Sequence, residues 1–549
     1  MQAERPWIAE LGAFLLVVAL PLVFTPFSMS PYGDPKLVVL VAATVALWMA
    51  RLPSDRTLVL AAGSWVVVTA VAAILGVEPT RSLVAPTTGS GGGFVLTLCC
   101  GVIVVRGTGV GQPLADRIRR WGLITAFVIG ALGLLVRLFP SITTDVLRWK
   151  GAGFIGSTMG NQLFAVALLS AGLGAAISVQ RPMRDRLIAC GTLTFLVASF
   201  GERSALVLPL VVAAATLWRG RRPWREAIAV VATILVAIVA WQVIDPLLPD
   251  RPKQVGATLA PLTGAATDTA RLTAWRSIGA GVLDRPILGW GPGTSQSIYL
   301  ASGDPEEILD AGRGWSDGHD IFLETAAGTG LLGLAALFVL LIVVGTRTLR
   351  CPPDRAWAFG AAVGLGAYAL VEPLSLVLTP LLFLYLGIAA DRSTERATAG
   401  PPWRAPVALR IATGVLLWSA LVVSTLVVVA STLERWGRTY GETWALRAAL
   451  AVQPWRVSAS EQLSLQLALD GRDGDEAAAR EAEELIATDV SRFPWDVNVR
   501  VFASDVDLIL RDPAGATRWR RAQVERFPGD RALLDEAAND DAESPPDGT

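Results

Sequence analysis

Asp317–Leu337 reads D-G-H-D-I-F-L-E-T-A-A-G-T-G-L-L-G-L-A-A-L, and within it the chain passes from a charged loop into an apolar run. From Gly328 to Gly345 that run carries no charge. Runs of about 17–25 such residues are long enough to cross a hydrocarbon core about 30 Å thick as helices. Working outward, twelve further stretches read the same way: 7–27, 36–51, 57–76, 93–107, 121–139, 160–179, 185–200, 203–218, 226–245, 356–372, 375–391 and 406–432. The turn at Glu372–Pro373 either separates two spans or interrupts one tilted span. Inside lipid every backbone polar group must be satisfied by the chain itself, which leaves helices or a closed barrel. The runs are too long and too uniformly apolar for barrel strands, so the expected fold is an all-α polytopic bundle of 12–13 spans.

Composition agrees. The chain is 52% hydrophobic and 17% charged, with a mean hydropathy of +0.50, too apolar for a soluble protein of 549 residues. Lysine occurs only at Lys36, Lys150 and Lys253. No basic cluster is interleaved with aromatics, so nucleic acid is not an expected partner. Cys99, Cys100, Cys190 and Cys351 lie in or beside apolar runs without ligand spacing, which argues against a disulfide framework or a zinc site. The Trp7–Phe27 run lacks a convincing small-residue cleavage site and reads as an uncleaved first span.

Arginines set the orientation. With the N-terminus inside, the inner connections hold Arg51/Arg56, Arg106/Arg117/Arg119/Arg120, Arg181/Arg184/Arg186, Arg219/Arg221/Arg222/Arg225, Arg347/Arg350/Arg355 and Arg392/Arg396/Arg404. The short outer ones hold Lys36, Arg81, Arg148, Lys150 and Arg203. Thirteen spans then put residues 246–327 outside as one large loop. Loops of that length inside a folded chain are usually functional. Residues 1–432 form the expected membrane core. Residues 433–539 form a soluble helical segment punctuated by Q-P-W-R, F-P-W-D and F-P-G-D turns at Pro454, Pro494 and Pro528. That spacing is tetratricopeptide-like and suggests a protein partner, against the plainer reading of an irregular helical tail. Residues 540–549 are acidic, proline-rich and expected to be disordered.

His319 is the only histidine of the chain and stands at the outer membrane boundary between Asp317 and Asp320. A neutral imidazole accepts a proton near pH 7, and an adjacent carboxylate can set its tautomer. The plainer account of a lone histidine is a structural one. Arg203 stands in F-G-E-R-S, and Arg271 and Arg276 in R-L-T-A-W-R. On a helix Arg271 and Trp275 share a face while Arg276 points elsewhere. A guanidinium fork suits phosphate oxygens; the plainer alternative is interfacial anchoring or a salt bridge to Glu202 or Asp268. Arg137, inside an apolar run, is expected to snorkel to the interface. Gly289–Gly293 (G-W-G-P-G) lacks a following lysine and a preceding strand, so it reads as a tight external turn rather than a nucleotide loop. Gly328, Gly330 and Gly333 would let helices approach closely. Asp317, His319 and Asp320 could hold a hard divalent ion, but no second histidine supports that.

These segments, in this order, resemble the O-antigen ligase and polymerase family of bacterial envelope glycosyltransferases. That family shows "D-x-P-K", "G-N-x-N-x-x-A", "S-R-G-A", an R…W segment, "D-x-P-x-x-G-x-G" and "H-N-x-x-L-E-x-x-A-x-x-G-x-x-G-L". The counterparts here are Tyr32–Leu37, Gly156–Ala165, Phe200–Ala205, Arg271–Trp275, Asp284–Gly291 and His319–Leu334. The resemblance implies a GT-C-like membrane core in the bacterial cytoplasmic membrane. The implied reaction moves a glycan from an undecaprenyl-pyrophosphate carrier to a glycan, lipid or protein acceptor on the outer face, inverting the anomeric carbon, with no cofactor and no metal. It makes His319 the base and Arg203 and Arg271 the pyrophosphate clamp, with Arg276, Asn161 and Asp320 in the substrate-binding set. Asp320 replaces the family's Asn, Gln162-Leu163 its Pro-Asn, and Ser204 its Gly, which bears on the acceptor rather than on the reaction type. Two other classes compete: a polysaccharide or lipid-carrier transporter, and a non-catalytic envelope assembly protein acting through its tail.

Overall fold

A computed structural model describes the chain apart from residues 1–5, 51, 54, 85–92, 140–156, 203, 248–265, 311–316, 373–374, 392–405 and 531–549. Arg203, most of the Gly/Thr-rich part of the large loop and the 540–549 tail therefore lie outside the described residues. The chain is helical, with no strand among the described residues. A helix occupies each of the thirteen apolar stretches. They are α1 (Pro6–Phe14, prolonged by a π turn at Leu15–Ala19), α2 (Asp34–Met49), α3 (Arg56–Leu75), then after a short α4 (Pro79–Val84), α5 (Phe94–Gly107), α6 (Gln112–Leu138) and α7 (Gln162–Ile177). There follow α8 (Met183–Ala198), α9 (Ser204–Arg219) and α10 (Trp224–Ile244). The large loop contributes α11 (Ala266–Asp284), α12 (Ser295–Ser302) and α13 (Pro305–Asp310). The bundle resumes with α14 (Ile321–Thr348), α15 (Ala356–Ala369), α16 (Leu378–Ala389) and α17 (Val407–Tyr440).

Five of these, α3, α6, α10, α14 and α17, are long and apolar enough to cross a membrane. Their outward faces decide the solvent. Leu60, Val67 and Ile74 on α3, Val236 and Val239 on α10, and Val415 and Val422 on α17 are exposed, while Trp65, Ile234 and Leu417 on the opposite faces are buried. Helices apolar on every side belong in lipid. Leu16, Leu40, Ile103, Ile129, Leu169 and Phe383 lie in one continuous core that joins the shorter helices to the longer ones.

Lys36, Arg355 and Arg137, all buried, find partners near helix ends. Lys36 donates its ammonium to the carbonyls of Val23 (2.8 Å), Thr158 (2.7 Å) and Pro21 (3.3 Å). Arg355 pairs with Asp391 at 2.7 Å and donates to the carbonyls of Ile388 and Val110. Arg137 corrects the snorkelling expectation. It is 8% exposed, pairs with Asp245 at 2.5 Å and donates to the Ser199 carbonyl at 2.8 Å, its guanidinium lying against the Trp241 ring. An acid at the end of α10, one fold layer away, supplied the partner that the local sequence does not show.

α14 starts at Ile321, earlier than the apolar run suggests, because Asp320 caps it: its Oδ1 accepts from the amides of Phe322 (2.8 Å) and Leu323 (2.7 Å). The helix then breaks at Gly330 (φ 65°, ψ −173°). The turn after α11 fills the break. The amides of Trp290 and Gly291 donate to the carbonyls of Ala327 (2.9 Å) and Gly328 (3.0 Å), and those of Leu331 and Leu332 to the carbonyls of Pro286 (2.7 Å) and Ile287 (3.3 Å). A Cβ on Gly330 would stand 2.2 Å from the Ile287 carbonyl oxygen, and one on Gly289, itself at φ +69°, 2.5 Å from that of Ala327. Gly328 and Gly330 thus admit a loop backbone, not the neighbouring helix that their spacing suggested.

The last membrane helix does not stop near residue 432. α17 runs on to Tyr440 and ends at Gly441, which takes the left-handed C-cap conformation (φ +70°). α18 (Thr443–Val452), α19 (Val457–Arg472), α20 (Glu476–Arg492), α21 (Val499–Ile509) and α22 (Pro513–Arg526) follow, with α19 packed on α20 and α21 on α22. The F-P-W-D and F-P-G-D turns of this segment reach the large loop. Trp495, Val497 and Phe527 share a core with Trp290, Ile298, Tyr299 and Ile308, and Ser297 donates to the Trp495 carbonyl at 3.0 Å.

Candidate active site

α11 carries R-L-T-A-W-R with its faces divided as the helical spacing predicts. Ala274 and Ile278 are buried against α12, while Trp275 turns to Gly318 and Arg271 to Glu372. The Trp275 indole donates to the Gly318 carbonyl at 2.9 Å. Arg276 points away, pairing with Glu307 at 3.1 Å on the exposed side of the loop. The structure therefore separates Arg276 from Arg271 and His319.

Segment 317–320 is held from several directions. The Gly318 amide donates to Glu324 Oε1, and Glu324 Oε2 accepts from Ser295 Oγ at 2.6 Å. Asp317, 5% exposed, accepts from the His319 amide at 3.2 Å. Held between these anchors and the Asp320 cap, His319 adopts φ +48°. A non-glycine residue in that region costs about 1–3 kcal/mol, which the surrounding contacts must offset.

The imidazole lies between two carboxylates. His319 Nε2 is 3.2 Å from Asp317 Oδ1, and Nδ1 is 3.6 Å from Glu372 Oε2. The other oxygen of Glu372 accepts from Arg271 Nη2 at 2.6 Å. Glu372, in the turn between α15 and α16, thus joins the arginine of α11 to the histidine before α14. It is 4% exposed, whereas the Arg271 side chain remains 35% exposed. The buried Tyr368 hydroxyl, on α15, has no hydrogen-bond partner among the described residues and lies within electrostatic reach of Glu372, Asp317, Arg271 and Glu202. Glu202 is drawn into this cluster; its neighbour Arg203 lies outside the described residues.

Two expectations change. The carboxylates that flank the ring are Asp317 and Glu372; Asp320, taken from the sequence as a flanking acid, uses its Oδ1 to cap α14. Arg271 makes its salt bridge with Glu372; the side chain of Asp268 lies outside the described residues. Asn161 caps α7, accepting from the Leu163 amide at 2.8 Å, and belongs to a separate knot in which Tyr32 packs on Gly160 and Lys36 holds the Thr158 carbonyl. Sequence reasoning missed Glu372 and Tyr368; the one local signal for Glu372 was a carboxylate between two apolar stretches. Among the described residues no group of three or more His, Cys, Asp or Glu side chains is placed to hold a metal.

An imidazole between carboxylates can accept a proton from a hydroxyl and have the gained charge faced on both sides. A partly exposed guanidinium beside it, with further N–H donors to spare, can receive a phosphate oxygen. Residues 187–338, from α8 to the middle of α14, match the family model described as O-antigen ligase. No curated protein matches the chain. The matched segment includes Arg271, Trp275, the D-R-P-I-L-G-W-G turn and His319, and it supports assignment to the O-antigen ligase/polymerase family of glycan-transferring membrane enzymes.

Proposed function

We propose that the chain transfers a glycan from an undecaprenyl-pyrophosphate carrier to an acceptor hydroxyl at the outer face of the cytoplasmic membrane. The observation that carries this is the convergence of Arg271 and His319 on Glu372. The acceptor oxygen attacks the anomeric carbon and its proton passes to His319. The bond from that carbon to the pyrophosphate oxygen breaks with its electron pair leaving on the phosphate, and attack from the opposite face inverts the configuration. Arg271, with Arg203 as its expected partner, balances the charge that develops on the leaving group, a role best filled by donors already in place. Glu372 keeps Arg271 and His319 in register. Ligation and polymerisation share this chemistry.

The transporter reading is less well supported. Transporters place ionisable groups near the bilayer midplane, whereas Lys36, Arg137 and Arg355 find their partners near helix ends. The test supplies purified protein with lipid-linked donor and acceptor. His319→Ala should lower transfer by about 10²–10⁴-fold, the usual contribution of a general base. Full transfer by that variant removes the base assignment. Normal glycan attachment in cells lacking the protein and any redundant enzyme removes the function.

A further inference from the structure

The bundle has a second concavity at its other end. α6 runs 17 residues from Arg120 to Arg137, about 26 Å at 1.5 Å per residue, and Arg137 meets Asp245 where the large loop begins. At the Arg120 end a cleft of about 700 Å³ opens between α6, the end of α7 and the start of α8. This is a ligand-sized volume, and it lies about a hydrocarbon thickness from the loop that carries His319.

Its lining is divided by chemistry. Arg119, Arg120, Arg181 and Arg186 form the mouth, with Asp185 as the one carboxylate among the lining residues. Two of these arginines have other duties: Arg119 pairs with Asp116 at 3.1 Å and donates to the Ser178 carbonyl, and Arg186 forks onto Glu226 at 3.0 and 3.2 Å. Even so, the Nε atoms of both are buried without a hydrogen-bond partner among the described residues, and Arg186 is only 8% exposed. Arg120 and Arg181 are exposed and have no ion-pair partner among the described residues. Beyond the mouth the walls are Leu123, Ile124, Phe127 and Ile188, of which Ile124 and Ile188 are more than half exposed.

Two guanidinium groups without an ion-pair partner among the described residues, Arg120 and Arg181, over an apolar wall complement an anion carrying hydrocarbon. We propose that this cleft binds an anionic phospholipid, its phosphate on Arg120 and Arg181 and an acyl chain along Leu123, Ile124, Phe127 and Ile188. Basic pockets between membrane helices are suited to such headgroups. The arginine bias of this end places the lipid in the inner leaflet, opposite the transfer site, so the inference stands apart from the glycan reaction.

The test uses the purified full chain in dodecyl maltoside, titrated with phosphatidylglycerol, phosphatidylcholine or inorganic phosphate and read by native mass spectrometry and thermal unfolding. Phosphatidylglycerol should remain bound and raise the unfolding temperature, while the other two do neither. Arg120→Gln/Arg181→Gln should weaken phosphatidylglycerol binding about 10- to 30-fold, given the usual contribution of each surface arginine to anionic-lipid binding. Arg120→Lys/Arg181→Lys, which keeps the charge and controls for folding, should retain most of it. Ile124→Ser/Ile188→Ser should weaken the lipid with no gain for phosphate. Equal binding of the two lipids, protection by inorganic phosphate alone, or an unchanged affinity in a monodisperse Arg→Gln double variant overturns the proposal.

Discussion

His319 has an unusual backbone because its neighbours are engaged elsewhere. Asp320 is the cap of α14, Gly318 is bound at both its amide and its carbonyl, and Asp317 holds the His319 amide. The left-handed φ turns the ring toward Glu372. Asn and Asp cap helices about equally well, which accounts physically for Asp320 at a position where the resembling family has Asn. Glu372 is the residue whose loss separates positioning from general acidity. Glu372→Gln keeps the size of the side chain and one acceptor oxygen but removes the charge facing both Arg271 and His319. It should lower the transfer rate about 10²-fold, at the low end of general acid–base contributions, with a smaller change in apparent donor affinity. Steady-state rates against donor concentration check this, and a rate within about threefold of wild type would remove Glu372 from the mechanism. His319 and Arg271 were legible in the sequence because each stands in a local pattern. Glu372 was not, since its partners are 53 and 101 positions away and only the packing of α11 and α16 on α14 brings them together.

At the scale of elements, the break in α14 connects the loop to the bundle. A helix broken at Gly330 leaves carbonyls and amides unused on either side, and the 286–291 turn supplies their partners. The turn brings Trp290 with it, whose indole donates to the Gly281 carbonyl at 2.7 Å and so ties the end of α11 to α14. Gly330→Ala faces both a disfavoured φ and a backbone oxygen 2.2 Å from the new Cβ, with nothing flexible to yield. The expected cost is about 3 kcal/mol or more, combining left-handed strain with overpacking. It should appear as a lowered unfolding temperature together with faster hydrogen exchange in 286–291; an unfolding temperature within a degree of wild type counts against this account. The apolar stretches themselves were readable, and a helix lies in every one of them, because length and uniform hydropathy are local properties. The break was not, because a glycine in an apolar helix looks the same whether it admits a helix or a loop.

Across the whole molecule, the segment after α17 is a buttress of the loop. Trp495 meets Trp290 edge to face at 5.1 Å, Arg526 lies over its ring, and Asp496 stands 4.0 Å from Arg81, which in turn donates to the Gly293 carbonyl. Trp495→Ala should therefore raise hydrogen exchange in α12 and lower transfer about tenfold, the effect of roughly 1.4 kcal/mol on a barrier, while leaving α7–α9 unchanged; unaltered exchange in α12 would show that the contact does not brace the loop.

The same segment carries a proton-dependent joint. Glu461 on α19 is 4% exposed with a carboxylate oxygen lacking a hydrogen-bond partner. Burial first, then the charges of Asp496, Asp489 and Glu434, push its carboxyl from an ordinary 4.5 up to about 9, against the lowering effect of Arg438. Once unfolded, the acid ionises near its ordinary value, so between about pH 4.5 and 9 the unfolded form binds fewer protons than the folded one. Stability accordingly falls as pH rises through that window and levels off above it. Glu461→Gln keeps the neutral shape and removes the dependence. In the full chain its α19–α20 region should exchange like wild type at pH 5 and progressively more slowly than wild type toward pH 9. Because Asp496 lies in the turn that faces Arg81, wild-type protection of α12 should weaken over the same range, and a pH-independent difference between the two proteins would show that Glu461 is already ionised in the fold.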